Sequence, residues 1–252
     1  MSNFGQVADI NVLCHIPTLK QSLKEYGYYL IRNCQFTHSE FIDLFSQFGD
    51  VIGYSQEDVD DRVTEIGTND QDVICGKGQL PLHFDGDLEE YLVDHVFLYA
   101  QNIRGEILGG ETIICDVRRA MATLPVDLRE IVETHNWKLR ICNDNVNKNE
   151  SEWRVMPFFT KFDGETRFNL YMPFDVHQPK SWDVSVQGLT DLESKRFFQH
   201  LDAHLSKSAF NYRHRWRQDD LLIFDNRRVL HSRVPFSGSN GIRQLWRGLS
   251  RE

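Results

Sequence analysis

The sequence predicts a mainly β protein, a sandwich or jelly roll flanked by helices. Three observations lead there. Short runs rich in Val, Ile, Phe and Tyr outnumber the helical patterns. Strand-like and helix-like segments do not alternate regularly, as they would around a doubly wound parallel sheet. Neither a GxGxxG turn nor a P-loop occurs, so a dinucleotide or nucleoside-triphosphate fold has nothing to stand on.

The elements follow in order. Residues 17–26 place Leu19, Leu23 and Tyr26 at helical spacing, and 27–32 read as a strand. Thr37-x-x-Glu40 is a capping box opening a helix through Phe41, Leu44, Phe45 and Phe48. Strands are expected at 93–101 and 111–116. Residues 117–134 form two helical pieces broken at Pro125. Further strands are expected at 137–142, 153–159 and 168–174. Between the first two of these, 143–152 carries Val146 alone as an apolar residue and reads as a surface loop. Thr190-x-x-Glu193 caps a helix with Phe197, Phe198, Leu201 and Leu205 on one face. The last strands are 220–224 and 242–249, with another carrying His231 between them.

The chain has 252 residues, enough to bury a core without disulfide staples. No linker, repeat or low-complexity tract interrupts it, so 1–252 is expected to be a single domain. Its formal charge of −9 repels phosphate backbones and anionic membranes, so neither nucleic acid nor membrane is an expected partner. The five cysteines are an odd set with no CxxC, as befits reduced thiols in a cytoplasmic protein. No apolar run reaches the roughly 20 residues that span a bilayer, and the first residues lack the basic and apolar regions of a secretory signal.

Chemistry enters at His83-Phe84-Asp85. On an extended backbone, positions i and i+2 point the same way, so an imidazole and a carboxylate can meet one metal ion. The His-x-acid triplet occurs three times in the sequence. His38 opens a helix and His200 lies within one, where i and i+2 diverge, and both read as solvated helix surface. His83 follows Gly76, Gly78 and Pro81 and is expected to be extended. A second element, Asp220 to His231, is a strand, a charged turn and a strand ending in a distal histidine. Two histidines and one carboxylate leave positions open on a metal, as in non-haem Fe(II) oxygenases. A structural zinc site would be closed by four ligands, usually with Cys, and no Cys accompanies these residues.

Two further features suit a carboxylate ligand. Arg243 and Arg247 share one face of a strand-like run beyond His231, and a guanidinium forms a bidentate pair with a carboxylate. Gly109-Gly110-Glu111-Thr112 brings a hydroxyl at the start of a strand. Surface arginines on an edge strand and an ordinary Gly-Gly turn are the alternatives at this point.

Taken together, HxD, GGxT, a distal His and RxxxR in that order resemble the Fe(II)- and 2-oxoglutarate-dependent oxygenases of the taurine dioxygenase superfamily. Within it the chain is similar to carbapenem synthase, most clearly over 76–86, 96–100, 171–175, 178–182 and 220–231. The resemblance implies a distorted double-stranded β-helix (jelly roll, cupin-like). It implies His83, Asp85 and His231 as iron ligands and Thr112 and Arg243 as holders of the distal carboxylate of 2-oxoglutarate. Arg247 sits where an anionic substrate group is often bound, and Tyr54, Tyr171 and Trp182 match aromatic positions of a substrate pocket. The tyrosine implicated in stereoinversion by carbapenem synthase has no counterpart in 143–152. Hydroxylation or desaturation is therefore expected over epimerisation.

The resulting expectation is an oxygenase using molecular oxygen on a small carboxylate-bearing or amino-acid-derived substrate, in natural-product or antibiotic biosynthesis. A hydroxylase of a free amino acid is the alternative within the class. A non-catalytic jelly-roll metal-binding module is the alternative outside it. The acid at Asp85 disfavours a halogenase, which usually has Gly or Ala there. Oligomeric state stays open, a homo-oligomer included.

Overall fold

The computed structural model describes residues 4–53, 62–67, 72–86, 92–142, 152–162, 164–175, 177–238 and 240–252. The fold is mostly β with a few helices, as expected. The largest sheet runs in the order Gln6–Ala8, Tyr28–Ile31, Leu221–Asp225, His95–Arg104, Ile242–Arg251, Asp50–Val51, and Thr64–Ile66 also pairs with Ile242–Arg251. Its first pair is parallel and the others are antiparallel. A second, wholly antiparallel sheet has the order Asn211–His214, Thr112–Asp116, Val229–Arg233, Leu80–His83.

The two sheets share an interior. Val96, Leu98, Ala100, Leu222, Phe224 and Leu245 of the larger sheet pack in one buried cluster with Ile114 and Val229 of the smaller one. On the larger sheet's other face, Phe97, Tyr99, Leu221 and Ile223 bury against the helices Ile16–Tyr26 and His38–Ser46. Strand alternation dictates this, since successive side chains enter opposite clusters. The back of the smaller sheet, through Leu82, Cys115 and Leu230, meets Val117–Ala122, Val126–Thr134 and Asp191–Leu205. A third sheet, Arg154–Pro157, Asn136–Ile141, Trp182–Val186, packs into the same cluster through Trp137, Leu139 and Trp182.

Both capping boxes form: the Thr37 and Thr190 hydroxyls accept from the amides of Glu40 and Glu193, whose carboxylates accept in return. Pro125 separates two helices, as its missing N–H requires. One expected strand differs. Residues 168–174 continue a strand only to Phe168, and beyond it Tyr171 makes an isolated bridge with His83. The chain there runs beside the end of Leu80–His83, bonding through the Leu170 carbonyl and the Met172 amide, and Pro173 has no N–H to extend a ladder. The strands Asn211–His214 and Trp182–Val186 were not expected from the sequence.

Of the expected surface loop, 143–151 lie outside the described residues, as do 54–61 and 68–71, and Tyr54 with them. Between the latter two stretches, Thr64–Ile66 is described and is a strand.

Candidate metal and co-substrate site

His231 pairs directly with His83 across adjacent strands. Cross-strand partners have neighbouring Cβ atoms, and the two rings lie 4.2 Å apart, centre to centre. Asp85 follows two residues after His83, as the extended reading expects. His83, Asp85 and His231 offer ligand atoms all within 4.8 Å of one another, and all three residues are buried. Each histidine Nε2 stands 3.8 Å from a different Asp85 oxygen, Oδ1 for His83 and Oδ2 for His231.

The donor set fits a divalent metal. His83 Nδ1 lies 2.8 Å from the Pro81 carbonyl, which can only accept, so Nδ1 carries the proton and Nε2 keeps its lone pair. Burial lowers the His83 ring to about 4 and holds His231 well below its ordinary value, so both are neutral bases. Burial raises the Asp85 carboxyl to about 7, and its Oδ2 is buried without a hydrogen-bond partner among the described residues. A buried carboxylate oxygen left bare costs stability unless a cation meets it. Two neutral imidazoles and one carboxylate suit Fe(II) with positions left open.

Asn226 holds Asp85 in place. Its Oδ1 accepts from the Asp85 amide at 2.9 Å, and its Nδ2 donates to the carbonyls of Asp85 (2.7 Å) and Val93 (2.8 Å). This side chain does the work of a strand neighbour where no strand pairs.

The second part of the site faces the ligands from the larger sheet. Arg243, Leu245 and Arg247 point inward from Ile242–Arg251 in strand alternation, and all are buried. Arg243 Nε donates to the Gly110 carbonyl at 2.7 Å, while its Nη1 is buried with no partner among the described residues. Burial lowers this guanidinium to about 9. Gly110 is required here: its φ is +78°, and a Cβ would stand 2.9 Å from Arg243 Cδ. Thr112 is buried on the smaller sheet and pairs with both His214 and Arg233. Arg247 Nη1 lies 3.3 Å from Asp85 Oδ1.

Arg233, Asn226 and Trp216 were not singled out in the sequence. Arg233 faces inward two residues after His231 and donates to the carbonyls of Gly78, Ile74 and Val73, fixing the approach to the His83 strand. A signal existed for it, because i+2 from a ligand on a strand shares its face.

The aromatic positions lie near His83. Tyr171 and Trp182 have ring centres 5.8 and 5.6 Å from its ring. Tyr171 donates to the Gly86 carbonyl and Trp182 to that of Met172, and both are buried. A groove of about 1140 Å³ passes behind this wall along Leu80, Pro81, Met172 and Phe174, and none of the three ligand residues lines it. His38 and His200 are exposed on helices, as expected.

Residues 4–249 match the taurine catabolism dioxygenase family TauD, TfdA. The chain belongs to that family. Among curated members, it is 30% identical over 133 residues to the alpha-ketoglutarate-dependent 2,4-dichlorophenoxyacetate dioxygenase of Cupriavidus pinatubonensis. That match takes in 49% of this chain and 44% of the relative, less than two thirds of its length. The 3-((Z)-2-isocyanoethenyl)-1H-indole synthase of Fischerella ambigua is 24% identical over 241 residues, covering 92% of this chain and 85% of the relative. Among solved structures, PvcB of Pseudomonas aeruginosa superposes with a TM-score of 0.76 at 20% identity, over 100% of this chain and 87% of that one. Another PvcB structure is described as an Fe, alpha-ketoglutarate dependent oxygenase from an isonitrile synthetic pathway (TM-score 0.75, 20% identity, 100% and 88% covered). A taurine dioxygenase of Burkholderia xenovorans gives 0.72 at 19% identity, over 98% and 87%. The TauD, TfdA fold is thereby established for this chain.

Proposed function

We propose that residues 1–252 form one Fe(II)- and 2-oxoglutarate-dependent oxygenase domain on a distorted jelly roll. It hydroxylates or desaturates a small carboxylate-bearing or amino-acid-derived substrate in natural-product or antibiotic biosynthesis. The observation that carries this reading is a pair of buried features: three candidate ligand atoms around a carboxylate oxygen, and a guanidinium Nη1, both without a hydrogen-bond partner among the described residues.

His83, Asp85 and His231 would hold the iron. Arg243 and Thr112 would hold the distal carboxylate of 2-oxoglutarate. Held by these residues, iron and 2-oxoglutarate would supply, with molecular oxygen as co-substrate, the oxidising power for C–H chemistry. The chain supplies geometry and dryness: neutral imidazoles, a carboxylate gripped through its backbone, and apolar walls around them. No side chain has to act as general acid or base. Arg247 carries positive charge to the same interior and supports an anionic substrate. Tyr171 and Trp182 supply an aromatic wall beside His83, and Tyr54 is proposed for the same pocket.

A natural-product role is supported by the isonitrile synthetic pathway from which PvcB comes. The product named for the Fischerella relative carries an ethenyl double bond, which favours desaturation as one outcome. The likeness to carbapenem synthase rests on the residue runs alone. A cytoplasmic site belongs to the same proposal, since all five cysteines are unpaired and Fe(II) is kept in reducing surroundings. A hydroxylase of a free amino acid uses the same residues and differs in the substrate pocket only.

The test is an anaerobic titration with Fe(II) and 2-oxoglutarate, watched for the visible metal-to-ligand charge-transfer band. The band is expected in the wild type and weakened in Asp85→Ala and Arg243→Ala. Its absence from a folded, iron-loaded wild type would remove the oxygenase reading.

A further inference from the structure

We propose that Trp216 is a positioning residue that locks the Thr112 hydroxyl as a hydrogen-bond donor, so that the co-substrate end of the site takes a carboxylate and rejects a carboxamide. The inference rests on the reading that Thr112 and Arg243 hold the distal end of 2-oxoglutarate.

Trp216 is buried, and its indole N–H has one use. Nε1 donates to Thr112 Oγ1 at 3.0 Å. An indole N–H can only donate, so the threonine oxygen is the acceptor. With one of its two lone pairs taken by the indole, the hydroxyl turns its hydrogen away from Trp216 toward an acceptor elsewhere. The two residues beside Thr112 on the sheet offer none. His214 has Nδ1 3.2 Å from the Tyr212 hydroxyl, and its Nε2 faces Asp220 Oδ2 at 3.2 Å in a charge contact that lacks hydrogen-bond geometry, so both nitrogens are turned to groups other than Thr112. Arg233 has no acceptor, and its Nε, Nη1 and Nη2 each donate to a backbone carbonyl. The hydroxyl hydrogen is left for a ligand.

The facing side chain has the same polarity. Arg243 gives Nε to Gly110 and keeps Nη1 buried without a partner among the described residues. Its guanidinium lies 5.9 Å from the Trp216 ring centre and 5.1 Å from that of Phe236. Trp216 therefore touches both groups, fixing a hydroxyl with its edge and backing a guanidinium with its ring. The end of the pocket then presents two donors, the Thr112 O–H and Arg243 Nη1, beside one remaining Thr112 lone pair. A carboxylate offers an oxygen to each donor, whereas a carboxamide has one oxygen and brings its N–H group against the second donor.

Trp216 is itself held. Its ring meets His214 edge to face at 4.4 Å, and Asp220, which anchors His214, takes Arg32 Nη1 on both oxygens, at 2.8 and 2.6 Å. This chain of contacts runs from Arg32 to the pocket and fixes the indole's orientation.

The test uses Trp216→Phe, which keeps an aromatic ring and removes the N–H, with Trp216→Tyr as a second variant in case the first does not fold. Dissociation constants are read from the charge-transfer band of the Fe(II)-loaded, anaerobic protein for 2-oxoglutarate and for 2-oxoglutaramate, its terminal carboxamide. Loss of one neutral hydrogen bond corresponds to about fivefold weaker 2-oxoglutarate binding and a preference over the carboxamide narrowed by about the same factor. Thr112→Val is expected to do the same, and the double variant to lose nothing further, because Trp216 acts through Thr112. Wild-type affinity and preference in a folded Trp216 variant would overturn the proposal, as would losses that add in the double variant. No band in the wild type would instead overturn the co-substrate reading beneath it.

Discussion

Arg247 Nη1 stands 3.3 Å from Asp85 Oδ1, with both side chains buried and brought together from positions 162 residues apart. The contact divides the carboxylate. One oxygen faces a guanidinium from the larger sheet, and the other, Oδ2, is left bare toward His231. The sequence reading gave Arg247 to an anionic substrate group. The geometry adds a duty toward Asp85, the proposed metal ligand.

Arg247→Gln should therefore weaken metal binding. Partners of metal-ligating groups typically contribute about 10–100-fold in metal affinity, and a loss in that range is expected by calorimetric titration with Co(II). Unchanged metal affinity with a raised KM for substrate would confine Arg247 to substrate binding.

Asn226 makes a similar prediction through the backbone. Asn226→Asp keeps the acceptor for the Asp85 amide and replaces a donor by an oxygen facing the carbonyls of Asp85 and Val93. Repulsion there should swing Asp85 out of line, again with about 10–100-fold weaker Co(II) binding. The d–d spectrum of bound Co(II) should change with it. A wild-type spectrum and affinity would show that the clamp is dispensable.

Gly110→Ala tests the co-substrate end. The added methyl needs a left-handed backbone at φ +78° and would press on Arg243 Cδ. Displacing a positioned guanidinium should raise the KM for 2-oxoglutarate by about tenfold or more, while Co(II) affinity stays near wild type, since no ligand moves. A loss of metal binding of equal size would mean that the strand, not the arginine, had shifted.

Much of this site was legible because it is written in local patterns. His83 and Asp85 share a face by strand alternation, and the capping boxes at Thr37 and Thr190 announce their helices from the residues alone. What was not legible depends on pairing. Nothing near Asn226 says that it will substitute for a strand at Asp85, 141 positions away. Trp216 becomes informative only once Asn211–His214 is known to lie beside Thr112–Asp116. Residues 168–174 show the opposite failure: β-prone side chains were read as a strand, but Tyr171 and its neighbours have one short edge to pair with and a proline that ends it.

A last prediction concerns stability away from the site. Asp225, His95 and Ser250 are cross-strand neighbours on three adjacent strands of the larger sheet. His95 is fully buried with neither ring nitrogen hydrogen-bonded among the described residues, and Phe48 lies edge-on at 5.2 Å. Burial lowers its pKa to about 4; Asp225, Glu252 and Asp94 pull upward, and Arg227 reinforces the burial. The unfolded chain takes this proton near the ordinary value of about 6.5. Below that pH protonation favours the unfolded state, so stability falls as pH drops from about 6.5 to about 4 and levels off beneath both values. Between pH 7 and pH 5 the group contributes a loss of about 2 kcal/mol, at about 1.4 kcal/mol per unit below its unfolded pKa. His83 and His231 add to the same trend in metal-free protein, so the comparison needs a variant. His95→Phe keeps an aromatic ring beside Phe48 and should lose about 2 kcal/mol less than the wild type over that interval in urea unfolding of the metal-free protein. Parallel losses in the two proteins would show that His95 is charged in the fold, with a partner for its proton inside the sheet.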